Sequence, residues 1–494
     1  MSSRQYDAIV IGSGAGGAAA AYRLVLGGLR VLLLEKGDYL PTDGSTLDIS
    51  RVVHQGEFLS RDAWLDGRGR RITPEEHFNV GGKTKWYGAA LLRFAEHEFR
   101  PDATHGCLGW PLSLRDLAPY YEEAERLLQV RVIEGEPDLA RIVRRLQHQA
   151  SGWRAEAMPM GLAPDITTHR VEASHFDGFA SAANLKGEAE TSLLSPLRGR
   201  REFNLLVNAE VAALIGRADS PAIVTGVRLT DGRTFNAPHV LLAAGALHSP
   251  RLLSRYLTQT GLDLTLPAAA HVGRQLKLHL LTAMVALSFG VKTDLIRKTS
   301  LLLNERCAHS SVQPLGFDDE LIATLMPRVL PAGVRKLIAR RAYGFFLQTE
   351  DGSDPRNAVR EVAGSFPVLD YDAARLPAAL REHRAFTRAF QLALARAGLV
   401  SFTRRIGLNG TAHACGSLVC GHSASDSVVD GGGRVHGMQG LYVVDGSVLP
   451  RSSRVNPSLT IYAWGLRAGE LVARQFREQH PAARPAAQES DCGA

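Results

Sequence analysis

Three glycines, Gly12, Gly14 and Gly17, follow the apolar run Tyr6-Asp7-Ala8-Ile9-Val10-Ile11 and open an Ala-rich stretch. In a strand-turn-helix unit the first glycine permits a tight turn, the second lets backbone approach a pyrophosphate, and the third packs helix against strand. The helix N-terminus adds partial positive charge and free N–H donors. Glu35, at the end of a second apolar run from Arg30, is placed to accept from a ribose hydroxyl. Together these residues read as an adenine dinucleotide site. They do not choose between NAD and FAD, although an acidic Glu35 disfavours the extra phosphate of NADP. A second glycine-rich loop, Val80 to Ala90, carries Gly81-Gly82 and Gly88. Successive glycines there expose backbone N–H groups and allow close approach to an aromatic ring system.

The elements that must hold these residues follow from pattern. Tyr6 to Glu35 reads as strand, turn, helix and strand, the opening of a parallel nucleotide-binding sheet. Leu114 to Val130 has helical periodicity, and Asn204 to Asn208, Ala222 to Leu229 and Val240 to Ala244 read as strands. From about residue 276 to 404 the pattern changes to mixed strands and amphipathic helices, one of them Ala373 to Gly398. Gly440 to Gly446 is a further core strand, and Asn456-Pro457 opens a helix to about Gln475, with Asn as N-cap and Pro at the first helical position.

Composition narrows the class. The 494 residues are 45% hydrophobic, 7% aromatic and 22% charged, which excludes disordered, collagenous and coiled-coil chains. At roughly 100 to 200 residues per domain, the length predicts two or more cores. The net charge of +7 is spread along the chain, and its nearest cluster, Arg335, Lys336, Arg340 and Arg341, reads as a solvated helix face, so no nucleic-acid partner is expected. Cys107, Cys307, Cys415, Cys420 and Cys492 lack structural zinc spacing; they read as reduced thiols, and no metal is expected. Met1 to Gln5 is too short for a signal peptide, and no apolar run reaches the roughly 18 residues of a membrane span. The expected compartment is therefore the cytoplasm.

Four segments in order, Tyr6 to Glu35, Val80 to Ala90, Leu241 to Leu253 and Thr411 to Leu471, resemble the glucose-methanol-choline (GMC) oxidoreductases, which oxidise alcohols with FAD. The resemblance implies that Gly81-Gly82-Lys83-Thr84 with Gly88 lies along the flavin. Some relatives attach FAD through a His in this loop; none stands between Val80 and Ala90 here, so non-covalent FAD is expected. Ala243-Ala244-Gly245 resembles a second signature, Val211 is the expected adenine contact, and Asp445-Gly446 lies beside the ribityl and phosphate groups. The implied cofactor-binding set is Gly12, Gly14, Ala15, Gly17, Glu35, Lys36, Gly81, Gly82, Thr84, Tyr87, Gly88, Val211, Ala244, Gly245, Asp445, Gly446, Asn456 and Pro457.

His413-Ala414-Cys415-Gly416-Ser417 through Gly421 resembles the family's active-site His motif, and Val455-Asn456-Pro457-Ser458-Leu459-Thr460 its second catalytic motif, 43 residues later. His413 and Asn456 are the implied catalytic pair. An imidazole with an ordinary pKa of about 6.5 is mainly neutral near pH 7 and suits removal of a hydroxyl proton. An amide cannot take that proton but can donate to a developing alkoxide. The chain departs from the usual motif at Ala414, Ser417 and Cys420, and Ala414 in place of Pro loosens the backbone after the base. His279 reads as structural, and His422 and His436 as surface or supporting residues.

The expected fold is α/β, with a Rossmann-like FAD domain from 1–100, 187–275 and 405–480. An interleaved α+β substrate domain from 101–186 and 276–404 is expected to be built on an antiparallel sheet that roofs the flavin, with 481–494 as a disordered tail. The expected activity is oxidation of a primary or secondary alcohol, a polyol, sugar or specialised metabolite, by hydride transfer to flavin N5, with oxygen or another electron acceptor. The alternatives are a lyase or photodecarboxylase on the same fold, a degenerate FAD-binding protein, or an NAD-dependent dehydrogenase. The presence of both His413 and Asn456 favours oxidation, and NAD would leave the other three motifs unexplained.

Overall fold

A computed structural model describes residues 6–326, 329–408 and 410–480. The expected tail 481–494, with Cys492, and the segment Met1 to Gln5 lie outside the described residues.

Short apolar runs build the first sheet. Ala8–Ile11, Val31–Leu34 and His239–Leu242 are buried along their whole length, as strands covered on both faces must be. Five parallel strands run in the order Leu441–Val443, His239–Leu242, Ala8–Ile11, Val31–Leu34, Phe203–Leu206. Ile11 pairs with both Leu34 and Leu242, and Leu242 with Val443. The residues that follow, Gly12, Glu35, Ala243 and Val444, therefore emerge side by side at the carboxyl edge, where open α/β sheets bind ligands.

Glycine lets the first and last helices meet there. A Cβ on Gly16 would lie 1.9 Å from the Val444 carbonyl oxygen, and one on Gly465 would lie 2.5 Å from the Gly16 oxygen. Helix Ala15–Leu26 thus crosses helix Ser458–Gln479 at backbone contact, so the end of the chain is brought against its beginning.

A second, antiparallel sheet has six strands in the order Val400–Arg405, Leu280–Leu287, Ala342–Thr349, Cys307–Pro314, Ser300–Asn304, Trp153–Ala157. Alternation divides its faces. Tyr343, Phe345, Leu347 and Val312 pack with Phe386, Phe390 and Leu394 of helix Pro377–Arg396. Their neighbours Phe346, Gln348, Ser311 and Gln313 point the other way.

Several element ends differ from expectation. The predicted helices Leu114 to Val130 and Ala373 to Gly398 span Leu114–Leu127 and Pro377–Arg396. Asn456 does not cap the last helix: Pro457 occupies the cap position, no side chain caps it, and the helix extends to Gln479. The Asn456 amide is engaged elsewhere, by Gln313. Trp153–Ala157, unforeseen as a strand, adds the edge of the antiparallel sheet. Cys107, Cys307, Cys415 and Cys420 are free and buried. Among the described residues no helix is long and apolar enough to cross a membrane.

Candidate active site

Between the carboxyl edge of the parallel sheet and the polar face of the antiparallel sheet lies a cavity of about 520 Å³. Its wall includes Gly12, Gly14, Ala15, Glu35, Lys36, Gly82, Thr84, Tyr87, Gly88, Val211, Ala244, Gly245, His413, Asp445, Gly446, Asn456 and Pro457. Of the residues singled out from sequence, Gly17 and Gly81 stand behind the wall. A Cβ on Gly17 would meet the Gly12 oxygen at 2.0 Å, so Gly17 serves the close packing of helix on strand. Gly81, with φ +86°, turns the chain so that its N–H donates to Ser13 Oγ at 2.9 Å.

Buried carboxylates organise the glycine loops. Glu35 Oε2 accepts from Ser13 N at 3.0 Å and Ser13 Oγ at 2.5 Å, while Oε1 accepts from Gly37 N at 3.0 Å. Asp445 accepts from Gly245 N at 2.8 Å, Ser249 Oγ at 2.5 Å and Ser447 N at 2.9 Å. Burial raises both carboxyl pKa values against these donors. Beside them, burial opposes the charge of Glu76, but Lys83 and His248 hold its carboxyl down to about 2. The lysine and arginine side chains of the wall are likewise matched: Lys36 with Asp62 and Glu210, Lys298 with Asp177, Arg251 and Arg255 with Glu361.

The chemical end of the cavity is built from two chain segments. Asn456 Nδ2 donates to His413 Nε2 at 3.4 Å. Because an amide nitrogen only donates, this contact leaves the Nε2 lone pair unprotonated and places the ring proton on Nδ1. Burial, reinforced by His279, Lys298 and Lys83, lowers the His413 pKa well below 6.5, so the ring is neutral. The His279 ring meets that of His413 edge-on, with centroids 5.0 Å apart, and Phe346 approaches it at 6.3 Å. His279 Nε2 donates to the Ser453 carbonyl at 2.7 Å, so the residue read as structural does anchor the turn that carries Asn456. His422 and His436 are not on the cavity wall.

Sequence reasoning missed Ser13, Glu76, Lys83, His248, Gln313 and Phe346. Lys83 lies inside the Gly81-Gly82-Lys83-Thr84 loop, and Ser13 between Gly12 and Gly14. Gln313 and Phe346 carry no local signal, because their placement comes from a cross-strand register.

The wall fits FAD on its own features. The Ala15–Leu26 helix begins without a side-chain cap or an acidic residue in its first turn, which leaves donors for a pyrophosphate. A Cβ on Gly14 or Gly245 would meet nothing within 4 Å, so both face open volume. Gly82, Tyr87 and Gly88 line the same cavity as His413 and Asn456, and a glycine at 82 leaves its backbone open to a ring system.

Comparison with known proteins agrees. Residues 354–465 match the family described as GMC oxidoreductase, and residues 7–176 match that described as FAD dependent oxidoreductase. The chain is 29% identical to paromamine 6'-oxidase of Streptomyces fradiae, over 97% of this chain and 93% of that protein. It is 30% identical to 6'''-hydroxyparomomycin C oxidase of Streptomyces lividus, over 95% and 92%. The fold matches the crystal structure of pyridoxine 4-oxidase from Mesorbium loti with a TM-score of 0.64 at 18% identity, covering 96% of this chain and 99% of that one. The protein is a member of the GMC oxidoreductases, FAD-dependent enzymes that act on the CH–OH group of alcohols.

Proposed function

We propose that the protein oxidises an alcohol to a carbonyl with His413 as the base and Asn456 as the donor that holds the substrate oxygen. The observation that carries this reading is the 3.4 Å contact between Asn456 Nδ2 and His413 Nε2 on the cavity wall. A hydroxyl entering beside the pair gives its proton to the His413 Nε2 lone pair and accepts from Asn456 Nδ2, so the charge left on oxygen meets a fixed donor. The lowered His413 pKa keeps the lone pair available at neutral pH. FAD, when bound, supplies the acceptor for the hydride that leaves the same carbon. The N-terminal end of helix Ser458–Gln479, on the same wall, favours negative charge there.

Non-covalent attachment belongs to this proposal: no His stands in the loop Val80 to Ala90, so acid precipitation is expected to release the yellow colour into solution. The parallel sheet draws its strands from 1–100, 187–275 and 405–480, and this supports the interleaved domains inferred from sequence. The acceptor, oxygen or another, and the alcohol are properties to assay. Paromamine and 6'''-hydroxyparomomycin C, named for the relatives, stand first on the panel, followed by polyols and sugars. The test is anaerobic mixing of the yellow protein with this panel, then reoxidation by air or a dye. Bleaching by an alcohol supports oxidation; a yellow protein bleached by none would favour lyase or photodecarboxylase chemistry, and a colourless one that cannot be reconstituted would refute the reading.

A further inference from the structure

One face of the antiparallel sheet presents two alternate cross-strand pairs to the segment that carries Asn456. Ser311 pairs with Gln348 and Gln313 with Phe346. Ser311 Oγ and Gln348 Nε2 both donate to the Arg454 carbonyl, at 2.6 and 2.7 Å. One step along the same face, Gln313 Nε2 donates to Asn456 Oδ1, while Phe346 lies against His413. Gln313 is 1% exposed.

From this arrangement we propose that Gln313 is a positioning residue that sets which way the Asn456 amide faces. An asparagine amide has an acceptor and a donor side of nearly equal shape, and rotation by half a turn exchanges them. Pointed one way, Nδ2 faces His413 and the substrate oxygen; pointed the other, Oδ1 would face a developing alkoxide and repel it. The backbone contacts at Arg454 fix the turn but not the amide. With its Nε2 toward Asn456, as it stands here, Gln313 fixes it, because that nitrogen can only donate and so takes Oδ1 alone as its neighbour. This inference rests on the proposed role of Asn456.

Two variants separate amide orientation from packing. Gln313→Glu keeps the volume but, when ionised, can only accept; it captures Asn456 Nδ2 and turns Oδ1 toward the substrate. When protonated, its O–H donates to Oδ1 as the native amide does. The rate of flavin reduction by a substrate alcohol, relative to the native enzyme at each pH, should be at least tenfold low at pH 8 and should recover as pH falls through the glutamate pKa. Gln313→Met, which removes the donor without replacing it, should give a smaller, pH-independent loss. FAD affinity, followed by fluorescence on titrating apoprotein, and melting temperature should stay near native in both. In an Asn456→Ala background, Gln313→Glu should cost nothing further.

A relative rate for Gln313→Glu that does not change with pH, or a full further loss in the Asn456→Ala background, would overturn the proposal. If Gln313→Glu does not fold, Gln313→Met carries the same double-mutant comparison. Should Asn456→Ala itself leave flavin reduction intact, the reading of Asn456 fails; a slow Asn456→Ala together with a fully active Gln313→Glu defeats only the role of Gln313.

Discussion

Glu350→Gln should destabilise the fold through a buried cation that cannot discharge. Glu350 and Arg451 are 0% and 1% exposed, joined by Arg451 Nε to Oε1 at 2.8 Å and Nη2 to Oε2 at 2.5 Å. Glu350 also accepts from His309 Nδ1 at 2.9 Å and Ser453 N at 3.2 Å. Arginine stays charged in proteins, so the Gln variant strands its guanidinium away from water. Breaking a buried pair costs about 3–5 kcal/mol, and the remaining amide oxygen argues for the lower end. Unfolding entropy of about 2.1 cal/mol/K per residue gives about 1 kcal/mol/K for a chain of this length unfolding as one unit, hence a drop of about 3 °C. Arg451→Met should cost less, since Glu350 keeps His309 as a partner and can take a proton. The double variant should be less destabilised than the sum of the singles. Calorimetry of the three holoproteins checks this; a Glu350→Gln midpoint within 1 °C of native, or strict additivity, would refute the reasoning.

Other consequences follow from the same contacts. Burial opposes protonation of His309, but the hydrogen bond and charge of Glu350 prevail and raise its pKa. The stability His309 contributes is therefore full below the free imidazole pKa of about 6.5 and lost as pH rises through the raised value; melting temperatures of native and His309→Asn protein should converge on the alkaline side and diverge near pH 6. His413, whose pKa is lowered by burial and then by His279, Lys298 and Lys83, must be neutral to act. Flavin reduction should stay flat from about pH 8 down past 6.5, the ordinary imidazole value, and fall only in more acid solution; a fall centred at 6.5 would show a ring with no such environment. Gly465→Val places side-chain atoms against the Gly16 oxygen, 2.5 Å from the new Cβ, and the Ala19 Cβ at 2.9 Å. Overpacking of this kind costs about 1–3 kcal/mol, and fluorescence titration should show weakened FAD binding.

What could be read in the sequence was what chain neighbours decide. Gly12, Gly14 and Glu35, which share one cavity wall, stood out together because turn, helix start and strand end lie within one short unit. His413 and Asn456 stood out through two motifs, each local, and the structure brings them into contact. Hidden was the partner of Asn456: Gln313 lies 143 residues away and reaches it through a strand register that no local pattern encodes. For the same reason Asn456-Pro457 read as a helix cap, when the side chain is drawn off by the opposite sheet. Ser13 was hidden differently: it occupies an unspecified position in the glycine motif, yet it links Glu35 to the Gly81 loop through one hydroxyl. His279 was legible as structural but not as the anchor of Ser453, since both residues adopt positive φ, 65° and 69°, that sequence does not reveal.

The central claim is that His413 takes the hydroxyl proton as the alcohol is oxidised. Its most direct test is the anaerobic rate at which an alcohol substrate reduces the bound flavin in His413→Ala, with FAD content verified. General base catalysis contributes about 10²- to 10⁴-fold, so the variant should be slowed at least a hundredfold while retaining its flavin. Reduction within threefold of native would contradict the account.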